Sequence, residues 1–462
     1  MAHGVVGRSD LPIPEWLFGW AAAVVLVISF VALAVLWPEP RLGENGFRAL
    51  PRSLSRVLLS RAVQLVCGAV GVFLLGLTVW SGLEGVQNGG ANFAPTFVFV
   101  TFWIGLVFLS VLIGDVFRPF NPWRAIGRSV AWVAQTAARG PLPAPLTYPE
   151  RLGLWPAAVG IFAFATLELV ASGGDIPENL AIAALIYSAF TFIAMALYGV
   201  EAWCARGEAF GVYFNLFSRI SPLTCRDGRI GLRRPLAGLT EIGPLPGTVA
   251  LLAVMIGSVS FDGASEAALW TGIAPDLAGF FEGLGLSPEK ALEAAFLIGL
   301  LAAVVIVFAF YKLGVAGARS AGGALSTTEL GKVFAASLVP IAFAYVAAHY
   351  LTLLLYQGQA ILTLAANPFG YLASNPLGTE GTDVFGTGDR AIDYSVIGAT
   401  ATWYYQVAFV VVGHVAALAV AHDKALVVYE EARTAVRSQY WMLVVMVGFT
   451  SLALWLLAQA NG

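Results

Sequence analysis

The chain has 462 residues, 58% hydrophobic and only 11% charged, with a formal net charge of −3. A soluble domain carries about 25% charged residues, so this balance excludes a water-soluble globular fold and asks for lipid as solvent. It also excludes a nucleic-acid partner, which needs a basic patch. The three scattered cysteines, Cys67, Cys204 and Cys225, have no CxxC partner and give neither a disulfide framework nor a zinc ribbon.

Ten apolar stretches approach the roughly 20 residues that a bilayer core demands. They cover 15–37, 62–80, 93–114, 153–171, 179–203, 246–262, 291–313, 333–356, 397–420 and 439–458. The first has no basic region ahead of it and is long enough to span, so it reads as a retained helix rather than a signal peptide. The sixth is the shortest. The expected fold is an all-α polytopic bundle of about ten transmembrane helices in a single membrane domain over 1–462.

Charge tests this count through the positive-inside rule. Arg41, Arg48, Arg52, Arg56 and Arg61 fall in the first loop, and Arg118, Arg124, Arg128, Arg139 and Arg151 in the third. Arg206, Arg219, Arg226, Arg229, Arg233 and Arg234 fall in the fifth. Lys312, Arg319 and Lys332 belong to the seventh, and Lys424, Arg433 and Arg437 to the ninth. Alternate loops thus hold 22 of the 25 basic residues, with only Arg8, Lys290 and Arg390 opposite. A missed helix would flip every later loop and spoil the pattern. The odd-numbered loops are therefore expected in the cytoplasm and both termini outside, in a bacterial cytoplasmic membrane.

Two loops resemble each other. Gly114-Asp115-Val116-Phe117 precedes Phe120-Asn121-Pro122-Trp123, and Gly207-Glu208-Ala209-Phe210 precedes Phe214-Asn215-Leu216-Phe217. Each follows a pair of spans, which suggests a parallel repeat of helices 2–3 and 4–5, a device common in transporters. Such segments also suit the membrane interface, where aromatics sit at headgroup level and arginines reach phosphates. The stretch 140–150 is Pro-rich and expected to be extended. Residues 263–290 suggest an amphipathic outer helix or a re-entrant segment. The long polar stretch 365–396 reads as a binding loop or lid.

Ionisable residues inside spans are costly and are functional candidates by default. Glu168, Asp262 and His349 all fall near the outer ends of their spans. With Ser258, Ser260, Tyr350, Trp403, Tyr404 and Gln406 they can line an outward-facing polar cavity. His349, Asp262 and Glu168 offer nitrogen and carboxylate ligands for a divalent metal such as zinc, which would activate water. Alternatively Ser258 or Ser260 could act as a nucleophile with His349 and an acid. Neither HExxH nor GxSxG is present. His414 and His422 lie toward the inner end, with Asp115 at the same face, and suggest a separate inner polar site. A rise of about 1.5 Å per residue puts His349 and His414 roughly 15 Å apart in depth, which rules out a shared haem.

Phe-Arg-Pro-Phe-Asn-Pro-Trp-Arg-Ala-Ile at 117–126, Ser-Phe-Asp-Gly at 260–263, Gly-His-Val-Ala-Ala at 413–417 and Ala-His-Asp-Lys-Ala-Leu at 421–426 carry a resemblance. By these segments the chain resembles a family of polytopic bacterial membrane proteins, common in actinobacteria and labelled fenitrothion hydrolase. The label implies hydrolysis of an organophosphate ester, hence a small lipophilic substrate drawn from the bilayer. The residues alone leave open a proton-coupled transporter or an accessory subunit of a membrane complex.

Overall fold

The computed structural model describes residues 15–460 except 44–45, 139–142, 244, 324, 369–384, 389 and 430. Arg8, Arg139, Glu380, Asp383 and Asp389, together with much of the expected lid, lie outside the described residues. In chain order the first helices are α1 (Glu15–Leu36), α2 (Arg52–Leu58), α3 (Arg61–Glu84) and α4 (Phe93–Pro95). A π-helix (Thr96–Gly105) runs straight into α5 (Leu106–Ile113). Then come α6 (Phe117–Phe120), α7 (Pro122–Ala137), α8 (Trp155–Leu169), α9 (Pro177–Tyr198), α10 (Val200–Arg206) and α11 (Ala209–Ser218). The second half has α12 (Thr248–Ser265), α13 (Ala268–Gly283), α14 (Pro288–Ser320), α15 (Thr327–Phe334), α16 (Leu338–His349) and α17 (Leu351–Ala366). It ends with α18 (Ala399–Val428), α19 (Ala432–Ser438) and α20 (Tyr440–Ala460).

Among the described residues, nine helical segments are long and apolar enough to cross a membrane. α20 lies where the tenth span is expected. The protein is a multi-pass, all-α membrane protein. Helices that meet lipid leave large apolar side chains exposed, such as Leu65, Val66 and Phe73 on α3. Two segments do not. The apolar stretch of α12 is 72% buried and that of Thr327–His349 is 78% buried, against 17% for α1 and α3. These two form the centre of the bundle. α16 packs along α18 and α12, and Gly413 allows the close approach. A Cβ there would lie 2.3 Å from Ala344 Cβ and 2.9 Å from the Pro340 carbonyl oxygen, the close fit that small residues give in membranes.

The arginine-rich loops share one face. β1 (Arg48–Ala49) from the first loop joins β3 (Arg229–Leu232) from the fifth, which also pairs with β2 (Leu223–Arg226). The sheet order is β1-β3-β2, antiparallel, with Arg48 opposite Leu232. Lys424 Nζ donates to the Thr240 carbonyl at 2.8 Å, and Tyr429 Oη to that of Ala318 at 3.0 Å, adding the seventh and ninth loops. On the opposite face, Glu178 N donates to Gln87 Oε1 at 3.0 Å, and Ser172 Oγ bonds Glu293 at 2.7 Å. The alternation read from charge is therefore matched by the contacts between loops.

Several spans differ from the sequence reading. The sixth, expected over 246–262, runs over Thr248–Ser265, two to three residues further along. The fifth ends at Gly199, whose φ of 85° suits glycine and turns the chain into α10. The eighth breaks at Tyr350, which has φ −96° and ψ 11°. α13 is a separate helix that packs against α14. Residues 143–149 carry no helix or strand, and Leu146 N reaches the Leu197 carbonyl at 2.7 Å.

The repeated motifs meet, and they do so reciprocally. Asn215 Nδ2 of the second motif donates to Asp115 Oδ2 of the first at 2.8 Å. Asn121 Nδ2 of the first donates to Glu208 Oε2 of the second at 2.7 Å. Each acid also receives backbone N–H groups of the helix after it: Arg118 N on Asp115, and Phe210 N and Gly211 N on Glu208. For Glu208 this is N-capping of α11, whereas Asp115 stands one residue before the cap of α6; in both cases the asparagine of the opposite motif is added.

Candidate functional site around Asp262 and His349

Asp262 sits near the end of α12 away from the arginine-rich face and is 3% exposed. His349 ends α16, and Tyr350 forms the break to α17. Both aim at one carboxylate oxygen. His349 Nε2 lies 2.9 Å from Asp262 Oδ2, and Tyr350 Oη donates to the same atom at 2.7 Å. The backbone of Tyr350 falls in the sparsely populated bridge between the helical and extended regions, where active-site residues recur. The break is what lets two consecutive residues converge on Asp262.

The remaining ring nitrogen decides what this arrangement can do. With Asp262 ionised, Nε2 carries the proton and Nδ1 holds a lone pair. Nδ1 has no protein partner among the described residues, and the His349 side chain keeps 19% exposure. It looks past Gly263, where a Cβ would stand 3.6 Å from Nδ1. Glu168, near the C-terminal end of α8, lies within the field of Asp262. It makes no hydrogen bond among the described residues. Tyr213 of α11, within the field of Glu168, keeps its buried hydroxyl unpartnered and stacks on Trp103 at 4.3 Å. Sequence reading missed Tyr213 because α11 follows a loop and is too short to look like a span.

The three expected metal ligands are not assembled as ligands. Among the described residues no three His, Cys, Asp or Glu side chains are placed to hold a metal ion. His349 Nε2 and Tyr350 Oη both take Asp262 Oδ2, so that oxygen faces them and not an ion shared with His349 and Glu168. The serine reading fares no better. Ser258 Oγ turns back to the Met255 carbonyl at 3.5 Å and Ser260 Oγ to that of Ile256 at 2.9 Å.

The other cavity residues divide. Trp403 and Gln406 are buried on α18, whereas Tyr404 is 47% exposed on another face of the same helix. Gln406 lies seven residues outward of Gly413. Because Gly413 packs on Pro340–Ala344, the antiparallel pairing puts Gln406 at about the level of His349.

The inner polar site does not form. Asp115 is bound to Asn215. His422 Nε2 meets the Trp37 carbonyl at 2.9 Å, and its Nδ1 meets Gln439 Nε2 at 3.2 Å. Asp423 receives Trp37 Nε1, Arg41 N and Leu42 N and so fastens the first loop to α18. His414 faces Tyr345, and its Nδ1 bonds the Val410 carbonyl at 2.7 Å. His414 and His422 lie eight residues, about 12 Å, apart along α18, and each of the three residues meets different neighbours.

No protein-family model, curated protein or solved structure matches the chain.

Proposed function

We propose that this is a membrane-embedded acid–base enzyme that hydrolyses a lipophilic ester, with His349 as general base. The observation that carries this reading is the His349–Asp262 pair, buried at membrane depth with one imidazole nitrogen committed and the other free. Asp262 fixes the tautomer and balances the charge that appears when Nδ1 takes a proton. Water is the nucleophile. As its oxygen bonds to the ester centre, its proton passes to Nδ1, and the bond to the alcohol or phenol leaving group breaks. Glu168 in its protonated form supplies the leaving group with a proton. The resemblance to proteins labelled fenitrothion hydrolase supports an aryl phosphotriester as substrate class, and a bacterial cytoplasmic membrane as the location.

The test is aryl phosphotriester cleavage by protein of verified purity in detergent. Loss of a general base costs typically 10²–10⁴-fold, so His349→Gln is expected to lose at least about a hundredfold in kcat with substrate binding retained. An inactive wild type, or an undiminished variant, sinks the reading. The unpartnered Glu168 carboxyl and Tyr213 hydroxyl favour a second one. In that reading the cluster relays protons for a transporter, and proteoliposomes would show proton-coupled solute uptake that Glu168→Gln abolishes.

A further inference from the structure

A second feature involves none of these residues. Between α3 and α9 on one side, and the π-helix, α8, α11 and α17 on the other, lies a crevice of 1480 Å³ with an overwhelmingly apolar lining. It exceeds the roughly 300–1,000 Å³ of a small-molecule pocket. Val159, Ile186 and Phe190 line it and are 64%, 66% and 57% exposed, so it opens sideways toward the bilayer. An apolar void of that size forfeits its dispersion contacts unless something fills it, and hydrocarbon chains are the solvent at its mouth.

The end of the crevice on the arginine-rich face adds a charge. Phe120, Pro122 and Trp123 line it there, together with Trp155 and Trp203. Arg118, Arg124 and Arg128 flank those residues on α6 and α7, and all three converge on one carboxylate, Glu201. The distances are 3.9, 2.9 and 2.7 Å. Three guanidinium groups against one carboxylate leave two positive charges uncompensated, and the Arg118 side chain is 65% exposed.

We propose that the crevice is a binding site for an anionic phospholipid. Its acyl chains occupy the apolar space and its phosphate meets Arg118 and Arg128 at the basic rim. A π-helical wall suits this role, because π-helical turns concentrate at functional sites, and here one faces the crevice through Phe97, Thr101 and Phe102. Basic pockets between transmembrane helices are a recurrent way to hold anionic headgroups.

The experiment uses the full chain, purified and delipidated in detergent, with phosphatidylglycerol, phosphatidylcholine or water-soluble glycerol phosphate as probe. Bound lipid is read by native mass spectrometry and stabilisation by thermal unfolding. Phosphatidylglycerol is expected to bind and to raise Tm more than phosphatidylcholine, and glycerol phosphate to do neither. In Arg118→Ala/Arg128→Ala, phosphatidylglycerol should lose roughly thirtyfold in affinity, as two surface arginines facing an anionic lipid imply, and fall level with phosphatidylcholine. Ala163→Trp, which fills the crevice from α8, should weaken both lipids. Equal binding of the two lipids by wild type, or a preference that survives the double arginine variant, overturns the proposal. So does glycerol phosphate binding as well as the lipid, or Ala163→Trp changing nothing. The arginine side chains are exposed, and a retained elution profile and helical content in the variants separate loss of the site from loss of the fold.

Discussion

Gly263 follows Asp262 in the sequence and stands beside the free nitrogen of His349. A methyl group there would make ordinary contact at 3.6 Å, whereas a branched side chain would cover Nδ1. Gly263→Ala is therefore expected to keep most of the ester-cleaving activity and Gly263→Leu to lose it, with a stability cost of about 1–3 kcal/mol for the leucine in this buried position. Equal activity in both would show that Nδ1 is not the working atom. Glu201 gives a pH prediction. Burial alone would raise its carboxyl, but hydrogen bonds and charge from Arg124 and Arg128 outweigh it and hold the group below its ordinary value. A depressed folded value adds stability above the unfolded carboxylate range, and that stability is lost as pH falls through the folded value. The Glu201 side chain is 51% exposed, so solvent screening keeps the gain to about 1 kcal/mol or less. Glu201→Gln should be slightly less stable than wild type near pH 7, and the gap should close below about pH 4.5. Parallel stability curves from pH 7 to pH 3 would contradict it.

At the scale of elements, the reciprocal lock makes an unequal prediction from a near-equal motif. Glu208 is fully buried and accepts from Asn121, Tyr187, Phe210 N and Gly211 N. Asp115 is only partly buried and accepts from Asn215 and Arg118 N. Deleting Glu208 strips the acceptor from four buried or part-buried donors, at about 1–3 kcal/mol for each that stays unpaired, whereas an ordinary hydrogen bond such as those to the partly exposed Asp115 is worth about 1 kcal/mol. Glu208→Ala should thus lower stability in detergent several times more than Asp115→Ala, as chemical unfolding of the two variants would show. The motif itself was legible because Gly-acid-x-Phe recurs in two loops. Its pairing across the repeat was not, since nothing in the order of residues says that the acid of one copy meets the asparagine of the other. The π-helix and the breaks at Gly199 and Tyr350 were hidden for a related reason. Hydropathy reports that a segment belongs in lipid, but the hydrogen-bond register inside it is set by packing. Depth along a helix brought Asp262 and His349 together correctly. For His414, His422 and Asp115 a common face was too coarse a guide: the two histidines are about 12 Å apart along α18, and each residue is tied to its own neighbours.

At the scale of the molecule, the alternation of charge and the contacts between loops together fix two faces, and a native residue reports on them. Cys225 is exposed in the β2–β3 hairpin on the arginine-rich face, while Cys67 and Cys204 are half-buried. Glu282 is exposed at the end of α13, on the side reached by α12 after it crosses from that face. By the positive-inside rule, Cys225 should react with a membrane-impermeant maleimide in inside-out vesicles and stay protected in intact cells. In a Cys67→Ala/Cys204→Ala/Cys225→Ala background, Glu282→Cys should show the opposite pattern. Labelling of both positions from the same side would mean an even number of crossings between residues 225 and 282, against the one crossing that α12, the single long apolar helix among the described residues there, provides. Reversed labelling of both would keep the fold and invert its orientation. That would turn the Asp262–His349 pair toward the cytoplasm and the arginine rim of the crevice outward, so one pair of cysteines decides from which side an ester reaches His349.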